Sequence, residues 1–281
     1  MPQPELLDQL ESLVSEKSAQ VFNRYFLHTT AEFKTDGSIV TEADQEMQTV
    51  LSAELEQLAP DILMLGEEMT AQQQAAVIAS DQPYWCLDPL DGTNNFHHGV
   101  PLFAVSLALI ENRQISMGLV YDPVRKECFS AARNHGLRIN GKTCQQRSQP
   151  AALKQCLASV DFKRLKAPIK QRLLEQMPFK SQRNIGTCAL EWAWLAAGRT
   201  QLLLHGGEKL WDYAAGARMT RADFKQRFGI RPEQFADYLA LVGDPVDDIP
   251  GVPSIGAKTA AALLQHFDDL DEIAYNFDRI A

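Results

Sequence analysis

Cysteine is scarce in this chain: five among 281 residues, Cys86, Cys128, Cys144, Cys156 and Cys188, an odd number set far apart. No Cys-x-x-Cys pair occurs, so neither a zinc ribbon nor a dithiol redox centre is signalled, and a disulfide framework has no basis. Long apolar runs are lacking too. The longest, Phe103 to Ile110, is interrupted by Ser106 and is too short to cross a bilayer. The amino end, MPQPELLDQLES, carries acids where a secretory leader would carry basic and then apolar residues. The expectation is a cytoplasmic protein, neither secreted nor anchored. Positive charge is not in excess either: 27 basic side chains face 36 acidic ones, a net charge of -9, which argues against a polycationic surface for nucleic acid. With 45% hydrophobic and 22% charged residues, the chain has the composition of an ordinary globular protein and not of a disordered one.

What is present divides into two unequal pieces. Apolar residues at Leu6, Leu10, Leu13, Val21 and Tyr25 recur at helical spacing from Glu5 to Phe26, and a second helical pattern follows Thr41 as far as Leu58. Short apolar segments bounded by turn residues then read as strands: Ile62 to Leu65, Tyr84 to Leu87, Phe103 to Ile110, Ile115 to Tyr121, Glu127 to Ala132 and Leu137 to Ile139. Ala189 to Ala197 reads as helix, Gln201 to Leu204 as strand and Trp211 to Arg218 as helix, so the first piece is a layered α/β or α+β domain. Beyond Arg218 the texture is helical alone. Helices are expected over Thr220 to Phe228, opened by a Thr220/Asp223 capping pattern, over Pro232 to Val242, over Ala257 to Phe267 and from Leu270 onward. A boundary is therefore expected near residue 219, giving domains 1–218 and 219–281. The second holds 6 basic and 11 acidic side chains and the first 21 and 25, so neither is a polycation.

Carboxylates gather at the ends of the predicted elements. Asp88-Pro89-Leu90-Asp91-Gly92-Thr93 follows the strand Tyr84 to Leu87, and the proline stiffens the turn between the two acids. Asp88, Asp91 and the Leu90 carbonyl are the hard oxygen donors that magnesium prefers. Gly92 allows close approach of backbone to a ligand, and a helix starting there would offer free N–H groups to a phosphate. Taken singly, each feature has a plainer reading: an Asp-Gly turn, a solvated Glu67 or Glu68, a helix-start Asp212, a capping pair of Thr41 and Asp44.

Their combination resembles the inositol monophosphatase family of magnesium-dependent, lithium-sensitive phosphatases. The resemblance rests on four segments: Lys34-Thr35-Asp36-Gly37-Ser38-Ile39-Val40-Thr41-Glu42-Ala43-Asp44, then Gly66-Glu67-Glu68, then Trp85 to Phe96 with the aspartate-rich signature, and Trp211-Asp212-Tyr213-Ala214-Ala215-Gly216. It implies a layered αβαβα sugar-phosphatase fold, here truncated, that binds two or three Mg2+ ions. Carried over by position, it makes Glu67, Asp88, the Leu90 carbonyl and Asp91 ligands of a first metal, with Asp88, Asp91 and Asp212 holding a second. Paired cations of this kind activate water, neutralise phosphoryl oxygens and stabilise the leaving alkoxide. Thr93 and Asp44 resemble the pair that orients and deprotonates the attacking water, and Gly92 and Thr93 should donate backbone N–H groups to the phosphate. The segment holding Lys34 and Asp36 resembles a mobile lid. Gly186-Thr187-Cys188 lies where the family presents Gly-Ser/Thr-Ala to substrate hydroxyls, and His205 stands where inositol-preferring members carry a glutamate. The implied substrate is a small phosphate monoester of an inositol, sugar, polyol or nucleotide, with His205 weighing against inositol. A homodimer is left open.

From about Met219 the chain resembles instead the helix-three-turn-helix region of prokaryotic 5'-3' exonucleases. Phe228 to Gln234 and the stretch Gly243-Asp244-Pro245-Val246-Asp247-Asp248-Ile249-Pro250-Gly251-Val252-Pro253-Ser254-Ile255-Gly256-Ala257-Lys258-Thr259-Ala260 carry the likeness. It implies a small all-α helix-hairpin-helix whose Gly251, Val252, Ile255, Gly256 and Lys258 hold DNA weakly and without regard to base sequence, with K+ at the hairpin carbonyls. Asp244 and Asp247 resemble two nuclease metal ligands, while the domain supplying the other carboxylates is missing. The alternative function is thus a catalytically inactive fusion that binds DNA through its second piece.

Overall fold

In the computed structural model, residues 3–33, 39–144 and 152–228 are described, together with 241, 243–244, 249–250, 252, 255–267, 269 and 272–273. The chain divides into two compact units, Met1–Thr220 and Arg221–Ala281.

The first unit opens with α1 (Gln3–Tyr25), the short antiparallel pair β1 (Ala31–Phe33) and β2 (Ile39–Thr41), and α2 (Glu42–Leu58). Helix α1 buries Leu6, Leu10, Val14, Val21 and Phe22, and α2 buries Ala43, Met47, Leu51 and Leu55, a residue every turn. Next come β3 (Leu63–Gly66), α3 (Ala71–Ala79), β4 (Tyr84–Asp91) and the single turn α4 (Thr93–His97). The meander β5 (Ala104–Glu111), β6 (Gln114–Asp122), β7 (Glu127–Ala132), β8 (Gly136–Ile139) and β9 (Lys142–Thr143) completes a seven-stranded sheet in the order β3-β4-β5-β6-β7-β8-β9. Only β3 and β4 run parallel; the other neighbours are antiparallel.

The chain then forms β10 (Leu157–Val160), α5 (Ala167–Gln176), β11 (Ser181–Arg183), α6 (Cys188–Ala196), β12 (Leu202–Leu204) and α7 (Leu210–Phe228). Strand β10 pairs in parallel with β11 on one side and β12 on the other. Each parallel connection needs a crossover, which α5 and α6 supply.

Alternation along β5 assigns the layers. Val105, Leu107 and Leu109 enter one core with α1 and α2, while Ser106, pointing the other way, donates its hydroxyl to the Trp211 carbonyl of α7 at 2.9 Å. Helix α6 packs on β5 and β6 and also on β12. Helices α1 and α2, the large sheet, α6 with α7, and the small sheet therefore stack in succession, the first four layers of the expected layered αβαβα order.

The predicted strands of the first unit lie within one residue of those observed except the second: β4 continues four residues past Leu87 to Asp91, so Asp88-Pro89-Leu90-Asp91, expected as a turn beyond the strand, forms its last stretch. The capping pattern at Thr220 does not start a helix: α7 runs unbroken from Leu210 to Phe228, and Thr220 Oγ1 donates to the Gly216 carbonyl one turn back at 3.0 Å. In the second unit, the two-residue strands β13 (Gly243–Asp244) and β14 (Ile249–Pro250) pair antiparallel, and a helix spans Ala257–His266. Leu241, Ala260, Leu264 and Ile273 form its small core. The helix expected over Pro232 to Val242 falls almost wholly outside the described residues.

Candidate active site

The site begins where β4 breaks register. Asp88 pairs with Ser106 and Asp91 with Ala104, so three steps on β4 face two on β5. Pro89 cannot donate to the ladder, and the extra residue bulges there. Both carboxylates and the Leu90 carbonyl are thereby gathered at the carboxyl end of the strand, beside the end of β3, where Glu67 N–H donates to the Leu87 carbonyl at 3.1 Å. Asp88 is 2% exposed, and Leu90 N–H donates to its Oδ1 at 3.1 Å. Burial pushes its carboxyl well above the usual range, with Glu67, Asp91, Asp212 and Asp44 adding repulsion in that order. Asp91 is raised by burial too, and by Asp212 and Glu67, although its Oδ2 accepts bonds from the Thr187 hydroxyl and, at 2.6 Å, from Ala189 N–H. Asp212 stands in the first turn of α7 and accepts from Lys209 N–H at 2.7 Å; burial raises it to about 6, with Glu67 and Glu208 reinforcing the effect and Arg164 opposing it more weakly.

Asp44 connects the acids to Thr93. Its Oδ2 accepts from Thr41 N–H at 2.8 Å and from the Thr41 hydroxyl at 2.6 Å, the capping arrangement visible in the sequence. Its Oδ1 lies 2.8 Å from Thr93 Oγ1, which is also 2.9 Å from the Leu90 carbonyl. Capping and site roles therefore coexist on one side chain. Burial lifts Asp44 to about 6 against the pull of these hydrogen bonds.

Gly92 precedes α4 with φ 91°, and a Cβ there would sit 3.0 Å from the Leu102 carbonyl oxygen. Glycine is required by both the left-handed backbone and the crowding. Beneath it, Asn95 Nδ2 donates to the carbonyls of Leu102 at 2.7 Å and Ile185 at 2.8 Å, tying α4 to the loop of Gly186. Phe96, on the same turn, packs edge-on against Phe103 with centroids 4.9 Å apart.

The remaining candidates line one wall. Thr187, buried, holds Asp91; Cys188 begins α6 and directs its thiol to Glu208 Oε1 at 3.2 Å. His205 Nε2 is 3.4 Å from Asp161 Oδ2, and its Nδ1 accepts a long bond from Gly207 N–H at 3.4 Å. Sequence reasoning missed Glu208 and Asp161, because an isolated acid in a loop carries no periodic signal and only the fold brings these to the wall; Asn95 lies within the signature segment Trp85 to Phe96, which assigns it no role. The expected lid residues Lys34 and Asp36 lie outside the described residues. So does Gly251 in the second unit, where Val252 N–H donates to the Leu241 carbonyl at 2.8 Å and Ile255 N–H to the Val252 carbonyl at 3.1 Å. Gly256 precedes the helix that carries the exposed Lys258.

The acids fit a hard divalent cation. They offer only oxygen donors, and the hydrogen bonds above leave their burial incompletely compensated, as the raised carboxyls record. A divalent cation is the charge that offsets such a cluster.

Residues 4–222 match the model of the inositol monophosphatase family, and residues 230–281 match that of the 5'-3' exonuclease C-terminal SAM fold. Inositol monophosphatase 2 of Solanum lycopersicum is 36% identical over 194 residues, covering 66% of this chain and 72% of the relative. The fructose-1,6-bisphosphatase/inositol-1-monophosphatase of Thermotoga maritima is 33% identical over 184 residues, 63% of this chain and 66% of that protein. Among solved structures, a Thermotoga maritima IMPase superposes with a TM-score of 0.67 at 29% identity, covering 76% of this chain and 82% of its own. On the match over residues 4–222, and with its acids arranged as described, the chain belongs to the inositol monophosphatase family.

Proposed function

We propose that the first unit hydrolyses a small phosphate monoester with the help of Mg2+. The observation that carries this reading is the convergence of Asp88, Asp91, Asp212 and Glu67 with the Asp44–Thr93 pair at one strand end. Glu67, Asp88, the Leu90 carbonyl, Asp91 and Asp212 would hold two or three Mg2+ ions, which when bound polarise water and neutralise phosphoryl charge. Thr93 Oγ1 positions the attacking water by accepting its proton while passing its own to Asp44 Oδ1. An acid raised to about 6 is a competent base near neutral pH. The Gly92 and Thr93 N–H groups, at the start of α4, suit a phosphate because first-turn amides lack helical partners. Thr187 fixes Asp91 and so sets the ligand geometry.

The test is phosphate release. Mg2+ should support it and Ca2+ should not, since the larger and looser shell of Ca2+ misplaces the water, and lithium should inhibit. Asp91→Asn should abolish turnover with an unchanged circular dichroism spectrum; hydrolysis at the parental rate would refute the assignment. His205 engaged with Asp161 offers no carboxylate to a substrate hydroxyl, so sugar, polyol or nucleotide monoesters should outperform myo-inositol monophosphate in a substrate panel. A clear preference for the inositol ester would overturn this choice.

A second reading is supported by the exonuclease-like match and the hairpin backbone of the second unit: weak DNA binding independent of base sequence, with K+ at the hairpin. Binding without phosphate release would favour it over the first.

A further inference from the structure

A second group of donors, of different chemistry, stands on the wall beside the acids. Cys188 Sγ, a ring nitrogen of His205 and a carboxylate oxygen of Glu208 lie within 4.8 Å of one another. We propose that these three residues form a zinc site, distinct from the all-oxygen cluster of Asp88, Asp91 and Asp212. Zinc is tetrahedral, with one sulfur at about 2.3 Å and nitrogen or oxygen at about 2.0–2.2 Å, which sets its ligand atoms roughly 3.5 Å apart. Sγ and Glu208 Oε1 are already 3.2 Å apart, and no ligand atom of the three is more than 4.8 Å from another, so closing the group requires shifts of about 1 Å. Thiol, imidazole and carboxylate together select zinc over magnesium, which takes hard oxygen ligands.

The surroundings are those a zinc ligand set requires. Asp161 Oδ2 lies 3.4 Å from His205 Nε2 and holds that nitrogen as the N–H, leaving the lone pair on Nδ1. What occupies that lone pair is the long Gly207 N–H contact of 3.4 Å, which a metal bond readily replaces. Trp192 Nε1–H donates to Glu208 Oε1 at 2.7 Å and orients the carboxylate. Burial, Asp91 and Glu208 hold the Cys188 thiol protonated, and the same negative surroundings attract a divalent cation. Binding breaks the S–H bond, forms the Zn–S bond and releases one proton to the buffer. The fourth position is left to water or a ligand oxygen. Because Thr187, which holds Asp91, immediately precedes Cys188, zinc bound here would obstruct the substrate wall; that consequence rests on the proposed phosphatase reading, whereas the binding itself does not.

Cobalt(II) is the probe, added to the full chain with saturating Mg2+ so that the oxygen cluster is filled. One equivalent should produce a thiolate-to-cobalt absorption band and be displaced by zinc. Cys188→Ala, which leaves the small residue that the family carries there, should lose the band while keeping its circular dichroism spectrum. His205→Ala should weaken zinc affinity more than about 100-fold, since losing even an outer partner of a ligand costs 10–100-fold. Asp91→Asn should retain the band even though it removes turnover. No band in the parent, a band that survives Cys188→Ala, or one lost in Asp91→Asn but kept in His205→Ala would overturn the site. If Cys188→Ala does not fold, the His205→Ala titration decides alone.

Discussion

Asp44 illustrates how one side chain can satisfy two readings of a sequence. Its Oδ2 closes the start of α2 through Thr41, and its Oδ1 meets Thr93, 49 residues away. The capping pattern was legible locally; the Thr93 contact became an expectation only through the family resemblance, because no local rule links positions so far apart. Glu191 shows the reverse case, a buried acid with no motif around it. It is 2% exposed on α6, accepts from Ile185 N–H at 3.1 Å and is raised from 4.5 to about 7, chiefly by burial. Between those pH values the folded chain keeps a proton that the unfolded chain releases, so this group's contribution to stability falls as pH rises through the window. The full shift corresponds to roughly 3 kcal/mol. Glu191→Gln keeps the acceptor and removes the titration. Urea denaturation at several pH values between 5 and 8 should show the variant gaining on the parent as pH rises. A stability difference that stays constant with pH would show that Glu191 is ionised in the fold throughout.

Elements with a buried stripe or a near-continuous apolar run were readable; those without one were not. Helices α1 and α2 announce themselves by one regular buried face, and the central strands β4 to β7 by near-continuous apolar runs, because helices cover both faces of the large sheet. Helix α3 was missed since it has no buried residue, although Thr70 and Gln73 cap its start through a bond from Thr70 N–H to Gln73 Oε1 at 3.0 Å. Strands β10 and β11 are short and carry Ser, Gln and Arg, so only pairing with neighbours defines them. The packing of α7 on the sheet was equally invisible. A Cβ on Gly118 of β6 would sit 2.5 Å from the Ala215 carbonyl oxygen and 2.8 Å from Ala215 Cα, both backbone atoms that cannot rotate away. Gly118→Ala must therefore push α7 outward, and Asp212, one turn before Ala215, moves with it. Overpacking of this kind costs about 1–3 kcal/mol. The variant should melt below the parent and lose turnover beyond what the fraction unfolded explains. Parental melting and parental kinetics together would mean that the helix is not seated by this contact.

Across the molecule, the change of texture near residue 219 and the division of the structure after Thr220 occur within α7, so one helix carries the chain from one composition to the other. The expected boundary rests on composition, which is legible without contacts, whereas nothing local foresees that the two helices expected around it form one helix, Leu210–Phe228. The second unit carries an exonuclease-like sequence together with 11 acidic and 6 basic side chains. Two-metal cleavage of a phosphodiester needs carboxylates around both ions, and Asp244 with Asp247 supplies too few. The expected outcome is that the protein does not cut DNA and holds it only weakly. Any binding should ignore base sequence and fall steeply with salt, as contacts limited to phosphates would. The measurement is a 5'-labelled flap substrate incubated with Mg2+ or Mn2+, beside binding titrations of two unrelated sequences at two salt concentrations. Shortening of the label that requires Mg2+ and disappears in Asp244→Asn would make the second unit a nuclease in its own right. Affinity that differs between the two sequences would instead require base contacts and would overturn the backbone-only expectation.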